Sequence, residues 1–178
     1  GDRRRVEGTD AEEGMFDGVT ECQPARVREV GCGAGAMAQR VREAGAAVVA
    51  VDSSERMVEL TRQRDIESYV ADVQELPFSD GEFDCVYAGW VLYHVLDLGR
   101  ALSECARVLR SGGRFVTATL ADENMSDLWD FLGSPRERTL GFSTANGAEQ
   151  LEHHFDNIEA REATGVVVFG SDVDMREF

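Results

Sequence analysis

Lysine is absent from this chain: all 18 basic residues are arginine, they face 34 acids, and the formal net charge is −16. A surface this acidic repels phosphate backbones and argues against bare RNA or DNA as a partner. Two origins fit the balance, a GC-rich genome or adaptation to high salt, where dense carboxylates keep a protein hydrated and their self-repulsion is screened. Paired cysteine motifs are missing as well. Cys22, Cys32, Cys85 and Cys105 are widely spaced, with no C-x-x-C and no local histidine partner. Neither a metal site nor a disulfide framework is expected, and a reduced, cytoplasmic setting follows. There is no signal peptide and no apolar stretch near about 18 residues, so no membrane partner is expected. Internal repeats and low-complexity segments are lacking too.

What is present fits one domain: 178 residues, 43% of them hydrophobic, suffice for a single packed core. Residues 1–22, with Arg3, Arg4 and Arg5 and little apolar periodicity, read as a polar leader without fixed structure, and 23–178 as the folded domain. The densest signal is E-V-G-C-G-A-G over residues 29–35, followed 21 residues after Gly31 by Asp52, at the end of an apolar run. A ligand lies against main chain only where side chains are absent, and the first turn of the next helix presents unpaired N–H groups. A carboxylate at the end of the neighbouring strand can accept from both hydroxyls of a ribose. Turn and spaced acid together point to a nucleoside-containing cofactor. Dinucleotide binders use G-x-G-x-x-G, whereas here Ala36 and Met37 follow G-x-G-x-G.

This turn resembles the first motif of the class I S-adenosylmethionine-dependent methyltransferases. V-V-A-V-D-S-S-E-R-M over 48–57 is similar to their second strand, ribose acid and helix start. A-D-V-Q-E-L-P-F over 71–78 is similar to their adenine-binding strand end, and F-D-C-V-Y-A over 83–88 to their fourth strand. R-V-L-R-S-G-G-R-F over 107–115 is similar to the helix-to-strand corner that follows.

Strands at 26–30, 48–52, 69–72, 83–88 and 115–120 alternate with helices at 36–44, 54–64 and 98–109. Gly45 ends the first helix, Ser54 and Asp97 cap the next two, and Ser111, Gly112 and Gly113 end the third. The expected fold is α/β, a Rossmann-like three-layer sandwich with a mostly parallel sheet, its ligand at the carboxyl ends of the strands beside the topological switch. Arg28 departs from the pattern, since in a central strand it needs an acidic partner or a route outward. Further helices are expected at 125–132 and 146–155, strands at 158–164 and 166–169, and a helix from near Asp172 that is cut off, so the fold reads as truncated at its C-terminal end. Oligomeric state stays open, the strand edge near 166–168 being able to pair with another.

The resemblance implies S-adenosylmethionine as cofactor and S-adenosylhomocysteine as product. Glu29, Gly31, Cys32, Gly33 and Gly35 would hold the methionine end, Asp52 with Ser53 the ribose, Asp72 and Val73 the adenine edge, Met57 and Leu76 the ring faces, and Ala88 and Gly89 the floor near the methyl group. For a hydroxyl or amine acceptor His94 is the candidate base, its competing role being a packing residue. Trp90 and Tyr93 read as pocket wall. The function implied is methyl transfer to an oxygen, nitrogen or carbon atom of a small-molecule acceptor. A non-catalytic S-adenosylmethionine-binding module and an NAD-type oxidoreductase are the alternatives.

Overall fold

A computed structural model describes residues 4–8, 10–123, 140–163 and 165–168. Five strands form one parallel sheet: β2 (Arg26–Val30), β3 (Ala47–Asp52), β4 (Glu67–Val70), β5 (Phe83–Gly89) and β6 (Leu109–Ala118), in the spatial order β4-β3-β2-β5-β6. The order reverses at β2, which pairs with β3 on one side and β5 on the other. That reversal opens the crevice where such sheets bind ligands. The helices α2 (Ala36–Glu43), α3 (Glu55–Arg62) and α4 (Leu98–Val108) alternate with the strands. A short α5 (Gly147–Glu152) follows.

The apolar strands are buried on both faces, as a parallel sheet requires. Val27 and Tyr87 pack with Met37, Ala38 and Val41 of α2 on one side. Val49, Val51 and Val86 pack with Leu102, Cys105 and Val108 of α4 on the other. Ser54 caps α3 and Asp97 caps α4, as the sequence predicts. Among the described residues no helix is long and apolar enough to cross a membrane.

The structure corrects the sequence at four places. Residues 11–20, expected as part of a polar leader, form α1 (Ala11–Thr20), capped by Asp10. Met15 and Val19 stand one turn apart and are buried, while the acids face outward. Arg40 reaches Glu13 at 2.6 Å, and Arg114 reaches Glu21 at 3.0 Å, tying α1 to α2 and β6. Next, α4 ends at Val108 and β6 begins at Leu109, so Ser111-Gly112-Gly113 lies inside a strand whose register with β5 shifts. A Cβ at Gly113 would lie 2.9 Å from the Arg110 carbonyl oxygen and 3.0 Å from that of Asp84, so the close strand approach demands glycine there. Residues 158–163 carry no strand, and β7 (Gly165–Val168) pairs antiparallel with β1 (Arg4–Gly8) of the same chain. The helices expected at 125–132 and from Asp172 lie outside the described residues.

The fourth correction concerns Arg28, which finds neither an acidic partner nor a route to water. Its side chain is fully buried, with Cζ 3.3 Å from the Phe78 ring centroid and 4.6 Å from that of Phe83. None of its three guanidinium nitrogens has a hydrogen-bond partner. Glu82 is engaged by Arg26 and Ser79, Glu67 by Tyr69. Burial pushes the Arg28 pKa down to about 9 against the through-space pull of Glu82 and Glu67. Stacking on two rings offsets only part of such a desolvation penalty. Arg28→Met, which keeps the stem and removes the charge, is expected to stabilise the fold by about 1–4 kcal/mol in urea unfolding; a lower midpoint would show that the guanidinium has an acceptor.

Candidate cofactor site

The glycine turn is built by main-chain bonds at the switch point. The Gly31 and Cys32 N–H groups both donate to the Val51 carbonyl, at 2.9 and 3.0 Å, which folds the chain over the end of β3. Gly31, Gly33 and Gly35 have φ of +71°, +52° and +77°. Their surroundings differ in a way that separates packing from binding. A Cβ at Gly31 would lie 2.5 Å from Val91 Cγ2, and one at Gly35 would lie 2.7 Å from Thr61 Oγ1. A Cβ at Gly33 would meet nothing within 4 Å. The outer glycines let the turn close on Val91 and Thr61, and the middle one keeps a bare main-chain face toward open space.

Asp52 holds this turn from the neighbouring strand. Its Oδ2 accepts from the Gly33 N–H at 3.0 Å and its Oδ1 from the Ser54 N–H at 2.9 Å. Helix capping falls to Ser54, whose Oγ accepts from Met57 N. Each Asp52 oxygen therefore keeps acceptor capacity for a ligand hydroxyl. Ser53 is exposed beside it, and Met57 is half-buried in the first turn of α3.

Glu29 and Tyr87 are paired across β2 and β5. They are 5% and 0% exposed, and both Glu29 Oε2 and Tyr87 Oη lack a hydrogen-bond partner. Burial pushes the Glu29 carboxyl up to about 8; the Tyr87 phenol pulls against this, the Asp52 charge adds to it, and the Ala38 N–H opposes it. Two orphaned oxygens under an open glycine face suit a ligand that brings a cationic N–H donor. Tyr87 is the site residue that sequence reasoning missed: the β2–β5 register alone brings it to Glu29, and no local motif encodes that register.

The remaining predicted residues divide. The Cys32 side chain is buried, 3.4 Å from Thr61 Oγ1, with its pKa raised by burial to about 11, so only its main chain can meet a ligand. Asp72 is exposed, and both its oxygens accept from the Gln74 side-chain amide, at 3.0 and 2.9 Å. Val73 is half-buried, whereas Leu76 is packed into the core and cannot cover a ligand ring. Ala88 and Gly89 end β5, where a Cβ at Gly89 would lie 2.8 Å from Met15, so α1 passes over that strand end. Trp90 follows with φ +54°, a strained conformation for a bulky side chain, fixed by its N–H bond to the Ala118 carbonyl. His94 is exposed at the end of a short turn, its ring 4.4 Å from that of Tyr93. Among the described residues no hydrogen bond orients its imidazole, and no three metal-ligating side chains converge anywhere.

Residues 28–117 match the family model described as the methyltransferase domain. Over 110 residues the chain is 38% identical to a malonyl-[acyl-carrier protein] O-methyltransferase of Pseudescherichia vulneris, covering 61% of this chain and 44% of that protein. The chain thus spans less than half the length of that curated relative. Among solved structures, an S-adenosylmethionine-dependent methyltransferase from Mesorhizobium loti is 29% identical with a TM-score of 0.56, covering 65% of this chain and 55% of that one. The YcgJ protein of Bacillus subtilis is similar in fold, with a TM-score of 0.63 at 23% identity over 80% of this chain and 66% of that one.

Proposed function

The chain belongs to the methyltransferase domain family, whose cofactor is S-adenosylmethionine, and we propose that it transfers the methyl group of that cofactor to an oxygen, nitrogen or carbon atom of a small or carrier-bound acceptor. One observation carries this reading: the open Gly33 face, the Asp52 carboxylate and the unpartnered Glu29 oxygen meet at the switch point of the sheet.

S-Adenosylmethionine supplies a methyl carbon on a sulfonium, an excellent leaving group, so alignment and dryness are what the protein must add. Glu29 pairs with its ammonium group, and the main chain of Gly31, Cys32, Gly33 and Gly35 lies along its methionine end. Asp52 takes the ribose hydroxyls, with Ser53 beside it. Met57 covers one adenine face. Asp72 and Val73 meet the adenine edge once Gln74 releases the Asp72 carboxylate. Ala88 and Gly89 form the floor beneath the methyl group, and Met15 and Trp90 close its side. His94 at the rim takes the proton of a hydroxyl or amine acceptor. A carboxylate acceptor, of the kind named for the Pseudescherichia protein, carries no proton to remove and needs no base.

The test is S-adenosylhomocysteine formation with a panel of one malonyl thioester on a carrier protein, one phenol and one amine, in the wild type and in His94→Ala. Turnover with the phenol or amine should fall about 100-fold or more in His94→Ala, and turnover with the malonyl thioester should not change. Binding of cofactor without product from any acceptor would instead support a non-catalytic module.

A further inference from the structure

The buried polar pair under the glycine turn asks more of the chain than the cofactor motif does. Glu29 belongs to that motif and Tyr87 does not. Among the described residues Tyr87 is the only fully buried phenol, set in a face otherwise lined by Val27, Met37, Ala38 and Cys85, and its hydroxyl has no hydrogen-bond partner. A tyrosine buried with an idle hydroxyl is unfavourable by itself, since phenylalanine would fill the same volume without stripping a hydroxyl of water. Its register partner is Glu29, whose Oε2 is also idle.

We propose that Tyr87 is a positioning residue for the amino-acid end of the cofactor: its phenol, unpaired in the ligand-free site, turns to donate to the Glu29 carboxylate when the ligand arrives, so that the other carboxylate oxygen is aimed at the ligand ammonium. The proposal rests on the cofactor reading above. The phenol stays protonated, because burial and then the Glu29 charge push its pKa well above the usual value, and it therefore acts as a donor.

The other groups facing Glu29 are Asp52 from β3, which disfavours its ionisation, and Cys32 from the turn, a neutral thiol; α2 contributes the Ala38 N–H. With its pKa raised to about 8, the Glu29 carboxyl is mostly protonated at pH 7 in the ligand-free site and ionises when an ammonium arrives. Binding near pH 7 therefore releases a proton, and affinity rises with pH, by at most about tenfold per unit, until either the carboxyl is ionised or the ligand ammonium begins to lose its proton. The sign is that of a raised acid: the ligand-free fold favours the protonated form, loses stability as pH climbs from the ordinary carboxylate range toward about 8, and regains it when the cation binds.

Calorimetric titration of the wild type and Tyr87→Phe from pH 6 to 9 tests this, using S-adenosylmethionine and 5′-methylthioadenosine, which lacks the amino-acid end. Tyr87→Phe should weaken S-adenosylmethionine about tenfold at pH 7 and make its affinity rise more steeply between pH 7 and 8 than in the wild type. It should leave 5′-methylthioadenosine within twofold at every pH, and the ligand-free fold should be as stable as the wild type or more so. Equal losses for both ligands, or none for either, would overturn the role of Tyr87. If the wild type binds neither ligand, the cofactor reading falls and the proposal with it. Binding of 5′-methylthioadenosine but not S-adenosylmethionine would overturn the ammonium pocket alone.

Discussion

Asp52→Ala should weaken S-adenosylmethionine by about 100-fold, and 5′-methylthioadenosine by the same factor, because both ligands carry the ribose. The magnitude follows from two hydrogen bonds to an ionised acceptor at about 1.5 kcal/mol each, or about 3 kcal/mol in binding. The substitution has a second consequence in the free protein. Asp52 also accepts from the Gly33 and Ser54 N–H groups, so its loss leaves two main-chain donors without their acceptor. Ligand-free Asp52→Ala should be about 1–2 kcal/mol less stable in urea. Asp52→Asn separates the two effects. Its one carbonyl oxygen can serve Gly33 or Ser54 but not both, so it should recover part of the stability while affinity stays low. A folded Asp52→Ala with affinity within twofold of the wild type would remove Asp52 from the site.

Gly31→Ala and Gly33→Ala should fail in opposite ways. At Gly31 the new methyl would sit 2.5 Å from Val91 Cγ2 and 2.7 Å from Val91 Cβ, in a backbone held at φ +71°. Left-handed strain of about 1–2 kcal/mol adds to an overpacking penalty of about 1–3 kcal/mol, so the fold should lose about 3 kcal/mol. Val91→Gly in the same chain should return the steric share, which a double-mutant cycle measures directly. At Gly33 the methyl meets nothing within 4 Å, so only the strain remains and stability should fall by about 1 kcal/mol. That methyl occupies the face offered to the cofactor, and affinity should drop at least tenfold. The reverse pattern, with Gly33→Ala unfolding the chain and Gly31→Ala binding normally, would mean that the two glycines have been given each other's roles.

The sheet was legible because parallel strands buried on both faces spell continuous apolar runs, as A-V-V-A-V does in β3, which ends at Asp52. The cap at Ser54 was legible from local chemistry. Helix α1 was hidden by its polar face: Met15 and Val19 make a stripe two residues wide, too little to stand out against Glu12, Glu13 and Asp17 until the groove between β6 and α2 receives it. The early start of β6 was hidden by its glycines, which ordinarily end helices but here let two strands approach. At the site, Asp52 and the glycines carry their spacing in the sequence, whereas the roles of Val91, Thr61 and Tyr87 arise from contacts between distant segments. Arg28 stood out as an anomaly, yet its burial between Phe78 and Phe83 depends on a loop whose path no local rule predicts.

The most direct test of the central claim is a calorimetric titration of the wild type with S-adenosylmethionine, S-adenosylhomocysteine and NAD at low and high salt. The account predicts that the first two bind in the micromolar range, roughly −8 kcal/mol, and that NAD does not. NAD binding in their place, or no binding by any of the three at either salt, would contradict it.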